Sequence, residues 1–250
     1  MLPTYFGTAI MTAMTREPIT RTYRVAMALA GPIVRYWGRL TVVGLSLLPP
    51  NGPVLVIANH DSQWDPVVIG VAARKVRQIR ALAKSQLWGN RVLAWVLNGM
   101  GQIPIERGRG DIKAMDAAVV ELEKGACIGV FPEGTISRGR PLRPHSGAGR
   151  LAAAAPKAIV VCCRVTGAVD IVRFPKRPRL KVEFFLPAQG QPQPDESALA
   201  LVRRLTSEIR AGAPYAIPGR KKAAAKARAA IAQADAEAAA KAAAKTTETE

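Results

Sequence analysis

The chain has 250 residues, of which 49% are hydrophobic and 22% are charged, a balance that predicts one compact domain with a sizeable core and excludes a wholly disordered chain. Its 36 lysines and arginines outnumber 18 acidic residues, so the formal net charge of +18 indicates a polyanionic partner: a nucleic acid, an anionic membrane surface or phosphate-bearing substrates. The three cysteines match neither a disulfide framework nor a C-x-x-C metal site, which favours a reducing, cytoplasmic setting.

The N-terminal part of the chain predicts a helix with an apolar stripe. Ile19, Tyr23, Met27 and Trp37 recur at helical spacing, with arginines between them. Such a helix either packs on its own domain or lies in a membrane interface with its arginines at anionic head groups. We take residues 1–38 as an N-terminal amphipathic segment and expect it to dock on an anionic membrane surface.

No apolar stretch reaches the roughly 18 to 20 uncharged residues that span a bilayer. The nearest candidate, residues 25–34, is short and is interrupted by Gly31 and Pro32. The start of the chain also lacks the basic segment that precedes the apolar part of a secretory signal. We therefore expect a peripheral or monotopic protein at the cytoplasmic face of the cell membrane.

The middle of the chain alternates between strand and helix patterns. Apolar, β-branched runs predict seven strands, at 40–47, 54–58, 79–83, 102–105, 128–131, 159–163 and 180–186. Helical patterns lie between many of them, at 66–73, 86–97, 111–124, 146–155 and 195–211. This alternation is typical of the α/β class. We expect a single mixed, largely parallel sheet of about seven strands that is covered by helices, after the N-terminal amphipathic segment.

The composition changes again near the C-terminal end. From Arg220 onward the chain is rich in alanine and lysine, which are good helix formers. We expect residues 220–250 to form a solvated, partly helical tail. The predicted organisation is therefore an N-terminal docking segment, an α/β domain over residues 39–219, and this tail.

Candidate chemistry follows the second predicted strand. His60 lies just beyond that strand and Asp65 just before the next helix. A neutral imidazole accepts a proton from a hydroxyl at neutral pH when a carboxylate fixes its tautomer, so the two residues suit a general-base site. Five residues cover about 140° of a regular helix, so the side chains meet only across an irregular turn. Asp65 followed by Pro66 is also typical of a helix N-cap, which needs no catalysis.

Two more clusters follow later strands. Arg107 and Arg109 lie in a glycine-rich segment after the fourth predicted strand, where they form either a phosphate clamp or a solvated turn. Glu133 stands between a proline and a glycine after the fifth predicted strand, with the hydroxyls of Thr135 and Ser137 nearby. A turn that caps a helix is the alternative interpretation of this third cluster.

Taken in order, the three clusters resemble the signature blocks of the glycerolipid acyltransferases. The blocks are Asn59-His60 with Asp65, the I-P-I-E-R of residues 103–107, and the F-P-E-G-T of residues 131–135. The resemblance covers about residues 35–190 and implies that family's fold. It assigns the catalytic pair to His60 and Asp65, and the binding of a phosphorylated glycerol acceptor to Arg107, Glu133, Gly134 and Thr135.

The resemblance also includes Lys84, ahead of the predicted helix that begins at Gln86, and we add this lysine to the substrate-binding set. The chain departs from the family at one position. The third block of the family usually continues with arginine, whereas this chain has Ile136 there. Arg138 lies two residues further on, and we expect it to bind substrate in place of the missing arginine.

The activity that the resemblance implies is transfer of a fatty acyl group from acyl-CoA or acyl-carrier protein to the sn-2 hydroxyl of 1-acyl-glycerol-3-phosphate. The product is phosphatidate, an intermediate of phospholipid biosynthesis. In this reaction His60 removes the hydroxyl proton and Asp65 holds its tautomer. The expected partners are the membrane, the lysophospholipid, the acyl thioester and, as donor, acyl-carrier protein. Neither a cofactor nor a metal is implied.

Two alternatives remain at this point. The first is acylation of a different acceptor, such as glycerol-3-phosphate or another lysophospholipid. The second is a basic nucleic-acid-binding module, because phosphate neutralisation needs little more than lysine and arginine. Only 5% of the residues are aromatic, and the sequence contains no RRM, zinc-finger or basic-zipper pattern, so we expect no nucleic-acid partner.

Overall fold

The computed structural model describes residues 17–106, 111–175, 177–217 and 219, together with positions 225, 229, 232 and 233. Arg107, the first 16 residues and most of the expected C-terminal tail lie outside them.

The described residues form six α-helices and seven strands in alternation. The helices are α1 (Arg21–Pro32), α2 (Asp65–Ala73), α3 (Arg91–Gly99), α4 (Ile112–Glu123), α5 (Gly147–Ala154) and α6 (Ala198–Gly212). The strands are β1 (Thr41–Val43), β2 (Val54–Ala58), β3 (Arg80–Lys84), β4 (Ile103–Ile105), β5 (Cys127–Val130), β6 (Ile159–Thr166) and β7 (Lys181–Phe185). The predicted α/β class and number of strands are confirmed.

Two predicted elements differ from the observed ones, and each difference has a local cause. The first strand ends at Val43 because Gly44 adopts a φ of 66° and the chain turns into a 3₁₀ segment. The helix predicted over residues 86–97 is divided. A 3₁₀ turn, Ser85–Gly89, comes first, and α3 then starts afresh because the Asn90 side chain accepts hydrogen bonds from the first N–H groups of the helix.

The seven strands form one mixed sheet in the order β1-β7-β6-β2-β5-β3-β4. Strands β6, β2, β5, β3 and β4 are mutually parallel, β7 is antiparallel to β6, and β1 is parallel to β7. The carboxyl ends of the five parallel strands therefore lie along a single edge, which we call the carboxyl edge. Loops that leave this edge are where ligands bind in sheets of this kind.

Helices cover both faces of the sheet, and strand β2 shows why. All five of its residues are buried. Val54, Val56 and Ala58 belong to the hydrophobic cluster formed with α1 and α2, whereas Leu55 and Ile57 belong to the cluster formed with α4, α5 and α6. A strand buried on both sides needs apolar residues at every position, which matches its unbroken V-L-V-I-A sequence.

The cysteines are packing residues of this core. Cys127, Cys162 and Cys163 are free and buried, and the two adjacent ones pack on opposite faces of the sheet. Burial raises the pKa of the Cys127 thiol to about 12, so it is a poor nucleophile at neutral pH.

Helix α1 is built into the domain through one face. Tyr23 and Met27 are buried in the same cluster as the sheet. A side chain at Gly70 of α2 would meet the Met27 sulfur at 2.7 Å, so the two helices approach closely there. The described part of the N-terminal segment is thus part of the folded body on this side, while its opposite face is exposed to solvent.

Close contact between α5 and α6 generates a prediction about stability. A Cβ atom at Gly149 would lie 2.1 Å from the carbonyl oxygen of Ala198 at the start of α6, whereas Gly147 in the same helix has open space around it. We expect Gly149→Ala to lower the free energy of unfolding by about 1–3 kcal/mol, the usual cost of an overpacked core site. The matched control, Gly147→Ala, should be neutral or slightly stabilising. Urea unfolding measures both, and equal values would contradict the packing described.

Candidate active site

The turn after β2 brings two of the expected residues together. The Nδ1 atom of His60 lies 3.1 Å from Oδ2 of Asp65, and both side chains are buried. The separation of five residues is closed by a tight turn in which the Asp65 N–H donates to the carbonyl of Ser62 at 3.1 Å. The irregular turn that the spacing required is therefore present.

The hydrogen bonds of Asp65 also decide between the two interpretations of its position. Its Oδ2 atom accepts from the backbone N–H groups of Asp61 at 2.6 Å and Ser62 at 2.7 Å. These groups precede α2, and the helix has no side-chain N-cap. The carboxylate thus points back to the turn and to His60, so Asp65 is not a helix cap.

The imidazole of His60 is held on one face as well as at Nδ1. Its ring stacks on Phe131, which follows β5, with 4.4 Å between the ring centroids. When Nδ1–H donates to the Asp65 carboxylate, the accepting lone pair of a neutral imidazole is on Nε2. The arrangement therefore presents a proton acceptor of fixed orientation.

The Asp65 side chain is fully buried. Burial raises the pKa of its carboxyl group, although the hydrogen bond with His60 acts in the opposite direction. Its Oδ1 atom is buried and has no hydrogen-bond partner among the described residues. Asp65 also lines a cavity of about 210 Å³, together with Pro214 and Tyr215 beyond α6. Several water molecules, each of about 30 Å³, would fit there.

Glu133 lies beside His60 but is occupied by protein groups. Its Oε2 atom accepts from the His60 N–H at 3.3 Å, and both oxygens accept from the guanidinium of Arg210 at 2.6 Å. Only 2% of the residue is exposed. Burial raises the pKa of the carboxyl group, and Arg210 counteracts this shift. Direct binding of an acceptor, as the resemblance implied for Glu133, would require the carboxylate to give up these partners.

The other expected residues lie at or near the same edge. Gly134 adopts a φ of 69°, which favours glycine, and its N–H closes a turn on Phe131. Thr135 is exposed next to it. Lys84, at the carboxyl end of β3, is exposed and pairs in register with Ile105, the last residue of β4. Residues Thr135 and Lys84 are accessible to a ligand at this edge.

Two positions concern the arginine that is usual in the family but missing here, Ile136 and Arg138. Ile136 is half-buried, and Arg138 is exposed with an unusual positive φ of 53°. A non-glycine residue in this region is uncommon and often marks a functional turn. Arg107 lies outside the described residues, so the structure provides no geometry for it.

Three site residues were missed or undervalued in the sequence. Asn59 exchanges hydrogen bonds with the backbone of Val165 in β6 and donates to Asp61. The Ser137 N–H donates to the His60 carbonyl at 2.8 Å, and its hydroxyl donates to Asp61. Arg210 of α6 binds both Asp61 and Glu133. The sequence offered one signal for Arg210. It follows Thr206 by four residues and so lies near the buried face of α6, and a buried cation requires a buried acid as its partner.

Two features are absent from the described part of the chain. Among its residues, no group of three or more histidine, cysteine, aspartate or glutamate side chains could hold a metal ion. None of the helices it contains is both long enough and apolar enough to cross a membrane.

Comparison with known proteins identifies a family for this chain. The family model described as Acyltransferase matches residues 39–166, just over half of the chain. The chain belongs to this acyltransferase family. The matched region contains His60, Asp65 and Glu133 but ends well before Arg210.

Curated relatives match parts of the chain. The lyso-ornithine lipid O-acyltransferase of Pseudomonas aeruginosa is 33% identical over 110 residues, which is 44% of this chain and 40% of that protein. The 1-acyl-sn-glycerol-3-phosphate acyltransferase of Streptococcus pneumoniae is 25% identical over 160 residues, which is 62% of this chain and 59% of that protein. The matches thus span about half the length of these relatives.

A solved structure shares the fold. The 1-acyl-sn-glycerophosphate (LPA) acyltransferase PlsC from Thermotoga maritima superposes with a TM-score of 0.58 over 76% of this chain and 80% of that one, at 19% identity. The glycerolipid acyltransferase fold expected from the sequence is therefore confirmed, as is membership of the acyltransferase family.

Replacement of Asp65 tests whether its carboxylate orients His60. We expect Asp65→Asn to lower the turnover of an acyl thioester by about 10²- to 10⁴-fold, because the amide does not stabilise an imidazolium and permits the wrong tautomer. Asp111 is a suitable control, because it is a true N-cap whose side chain accepts from the Ala114 N–H. Asp111→Asn should leave turnover unchanged. Full activity of Asp65→Asn would contradict the role assigned to the pair.

Proposed function

We propose that the protein transfers a fatty acyl group from acyl-CoA or acyl-carrier protein to the sn-2 hydroxyl of 1-acyl-glycerol-3-phosphate, forming phosphatidate. The observation that carries the proposal is the hydrogen-bonded pair of His60 and Asp65, buried in a turn at the carboxyl edge of an acyltransferase domain. The names of the Streptococcus pneumoniae and Bacillus subtilis relatives support this acceptor; the latter is 23% identical over 155 residues.

The chemistry assigned to the pair is general-base catalysis. Nε2 of His60 takes the proton of the acceptor hydroxyl while its oxygen attacks the thioester carbonyl. The new ester C–O bond forms, the C–S bond breaks, and the imidazolium returns its proton to the departing thiolate. Asp65 stabilises the imidazolium through Nδ1–H, so no covalent enzyme intermediate and no cofactor are needed.

Basic groups around the edge would hold the phosphates of acceptor and donor. We assign Lys84, Arg107 and Arg138 to this role, with Gly134 and Thr135 shaping the acceptor side. Lys84 and Arg138 support it by their exposure, and a guanidinium or ammonium group makes charge-assisted hydrogen bonds to phosphate. For Glu133 we propose a different role, holding the backbone of His60, because its oxygens already have partners.

A second candidate acceptor is a lysolipid without a phosphate. The relative from Pseudomonas aeruginosa is named a lyso-ornithine lipid O-acyltransferase and shares 33% identity over its matched region. Ile136, at the place of the usual family arginine, is consistent with an acceptor whose head group makes different contacts. The reaction at His60 would be the same with either acceptor.

An acceptor panel tests both candidates. Acyl-CoA and acyl-carrier protein are supplied with 1-acyl-glycerol-3-phosphate, glycerol-3-phosphate or lyso-ornithine lipid, and mass spectrometry identifies the products. We expect phosphatidate as the main product and a fall of about 10²- to 10⁴-fold for His60→Ala, the usual loss of a general base. The only other histidine, His145, is exposed and its ring lies beside Gly134, so His145→Ala should change turnover far less than His60→Ala. Preferential acylation of lyso-ornithine lipid would favour the second candidate.

Arg138 provides a test of phosphate recognition. If it binds the acceptor phosphate in place of the residue missing at Ile136, Arg138→Gln should raise the KM for 1-acyl-glycerol-3-phosphate about 10- to 100-fold, since a charged hydrogen bond contributes about 1.5–3 kcal/mol. The KM for the acyl donor should change less. Arg143→Gln, an exposed arginine in the same loop, is the control. If Arg138→Gln leaves the KM for 1-acyl-glycerol-3-phosphate unchanged and Ile136→Arg lowers it, Arg138 does not replace the missing family arginine.

We also propose that the protein docks on an anionic membrane at its cytoplasmic face. Helices α1 and α3 are neighbours, since a side chain at Gly99 would meet Thr22. Both helices, and the π-helical segment Ile33–Trp37 that continues α1, expose large apolar residues. We call these residues the α1/α3 surface: Val25, Leu29, Ile33, Tyr36, Val92, Leu93 and Trp95. Arg21, Arg24 and Arg91 are exposed on the same two helices. Apolar side chains flanked by arginines suit an interface with anionic lipid.

A single charged substitution on the α1/α3 surface tests membrane docking. Deletion of residues 1–38 would also remove core residues, so we choose Leu29→Glu, at a position 74% exposed. We expect about tenfold weaker binding to phosphatidylglycerol vesicles, because burial of a leucine side chain contributes about 1.5–3 kcal/mol. Ile112→Glu, at a position 73% exposed on α4, is the control and should bind like the wild type. Equal binding by all three proteins would contradict docking through α1.

A further inference from the structure

Arg210 lies in the last turn of α6, more than forty residues beyond the region that matches the acyltransferase family. Its side chain is only 8% exposed, and it is inserted between the turn after β2 and the turn after β5. We propose that Arg210 is a positioning residue for His60, holding these two turns at the separation that catalysis requires. The inference rests on the proposed function, because it assigns His60 the role of the base.

The shape of the contact explains why an arginine is present. Nε and Nη2 of Arg210 donate in parallel to the two oxygens of Glu133, each at 2.6 Å. Nη1 donates to Asp61 at 2.8 Å and to the carbonyl of Ala213 at 3.2 Å. One planar guanidinium thus binds one acid from each turn. The ammonium group of a lysine cannot make the paired contact with Glu133 while also reaching Asp61.

Both acids are directly connected to the catalytic pair. Glu133, once fixed by Arg210, accepts the backbone N–H of His60. Asp61 is the next residue along, and its own N–H donates to Asp65 Oδ2 at 2.6 Å. Arg210 therefore reaches the backbone on both sides of the His60 side chain without touching the imidazole. Loss of these contacts would change the distance and the orientation between the His60 and Asp65 side chains.

The charges make the arginine necessary. Asp61 and Glu133 are both buried, and the negative charge of Asp61 disfavours ionisation of Glu133. Burial by itself lowers the pKa of Arg210, but its hydrogen bonds to the two acids outweigh this and raise it, so the cation is permanent. Without Arg210, two like charges would face each other in a poorly solvated space, and the turns would move apart or take up a proton.

The guanidinium is itself held from the other side. It stacks on the ring of Tyr215, with 4.0 Å between the guanidinium carbon and the ring centroid. Tyr215 belongs to the segment after α6 that lines the cavity beside Asp65. The position of Arg210 is therefore set by the docking of α6 and of this segment, so the C-terminal part of the domain contributes to the geometry of the site.

Kinetics of Arg210→Ala test the proposal against a control in the same helix. Arg204 makes the same kind of paired contact, at 2.8 Å to each oxygen of Glu196, but contacts no site residue. We expect Arg210→Ala to lower kcat about 10²-fold, the effect of a small displacement of a catalytic group, with KM values within about threefold. Arg204→Ala should keep the wild-type kcat. Guanidinium chloride at millimolar concentration should restore part of the activity of Arg210→Ala and none of that of His60→Ala.

A readout that is independent of activity separates this inference from the proposed function. Proton NMR of the imidazole Nδ1–H reports the His60–Asp65 hydrogen bond, and we expect its downfield signal to disappear in Arg210→Ala but to persist in Arg204→Ala. Arg210→Lys, which keeps the charge, serves if Arg210→Ala does not fold, and should lose the signal in part. A wild-type kcat or an unchanged NMR signal in the Arg210 variants would overturn the inference. Failure of the wild type to acylate any acceptor would instead overturn the proposed function.

Discussion

One oxygen atom, Oδ2 of Asp65, accepts hydrogen bonds from His60 Nδ1 and from the backbone N–H groups of Asp61 and Ser62. Because a single acceptor gathers donors from the whole turn, the backbone path and the orientation of the imidazole are fixed together. A neutral side chain at position 65 would satisfy the backbone donors less strongly and would leave the ring free to choose its tautomer. The rest of the site is arranged around this turn.

The sheet supplies the rigid frame for that turn. Strand β2 lies between β6 and β5, so the chain that leaves it is flanked by the loops of both neighbours. Asn59 ties the turn to β6 through Val165, and Ser137 ties it to the loop after β5. Buried polar groups are costly unless each has a partner, and here the partners come from β6, from the loop after β5 and, through Arg210, from α6. The specificity of the geometry thus depends on the whole domain.

The sequence predicted those features whose causes are local. His60 and Asp65 lie within one strand-turn-helix unit, so their spacing already indicated a pair, and the positions of the strands along the chain were predicted from apolar runs. It was not possible to predict the role of Arg210, because Asp61 is 149 positions away along the chain and no short pattern links them. The break before α3 was missed because the capping effect of Asn90 overrides a continuous helical pattern. The F-P-E-G-T block indicated Glu133 as a site residue, but no sequence pattern indicated its hydrogen-bond partners, the His60 N–H and the Arg210 guanidinium.

The pairing of β1 with β7 has a consequence for how the chain folds during synthesis. The only neighbour that the described sheet gives to β1 is a strand about 140 residues further along. At roughly 5–20 residues per second, the ribosome needs some ten seconds or more to deliver that partner. Until then β1 has no partner strand in the described sheet, although α1 can already pack on α2. The strands of the described sheet that come first and last along the chain therefore pair only late in synthesis.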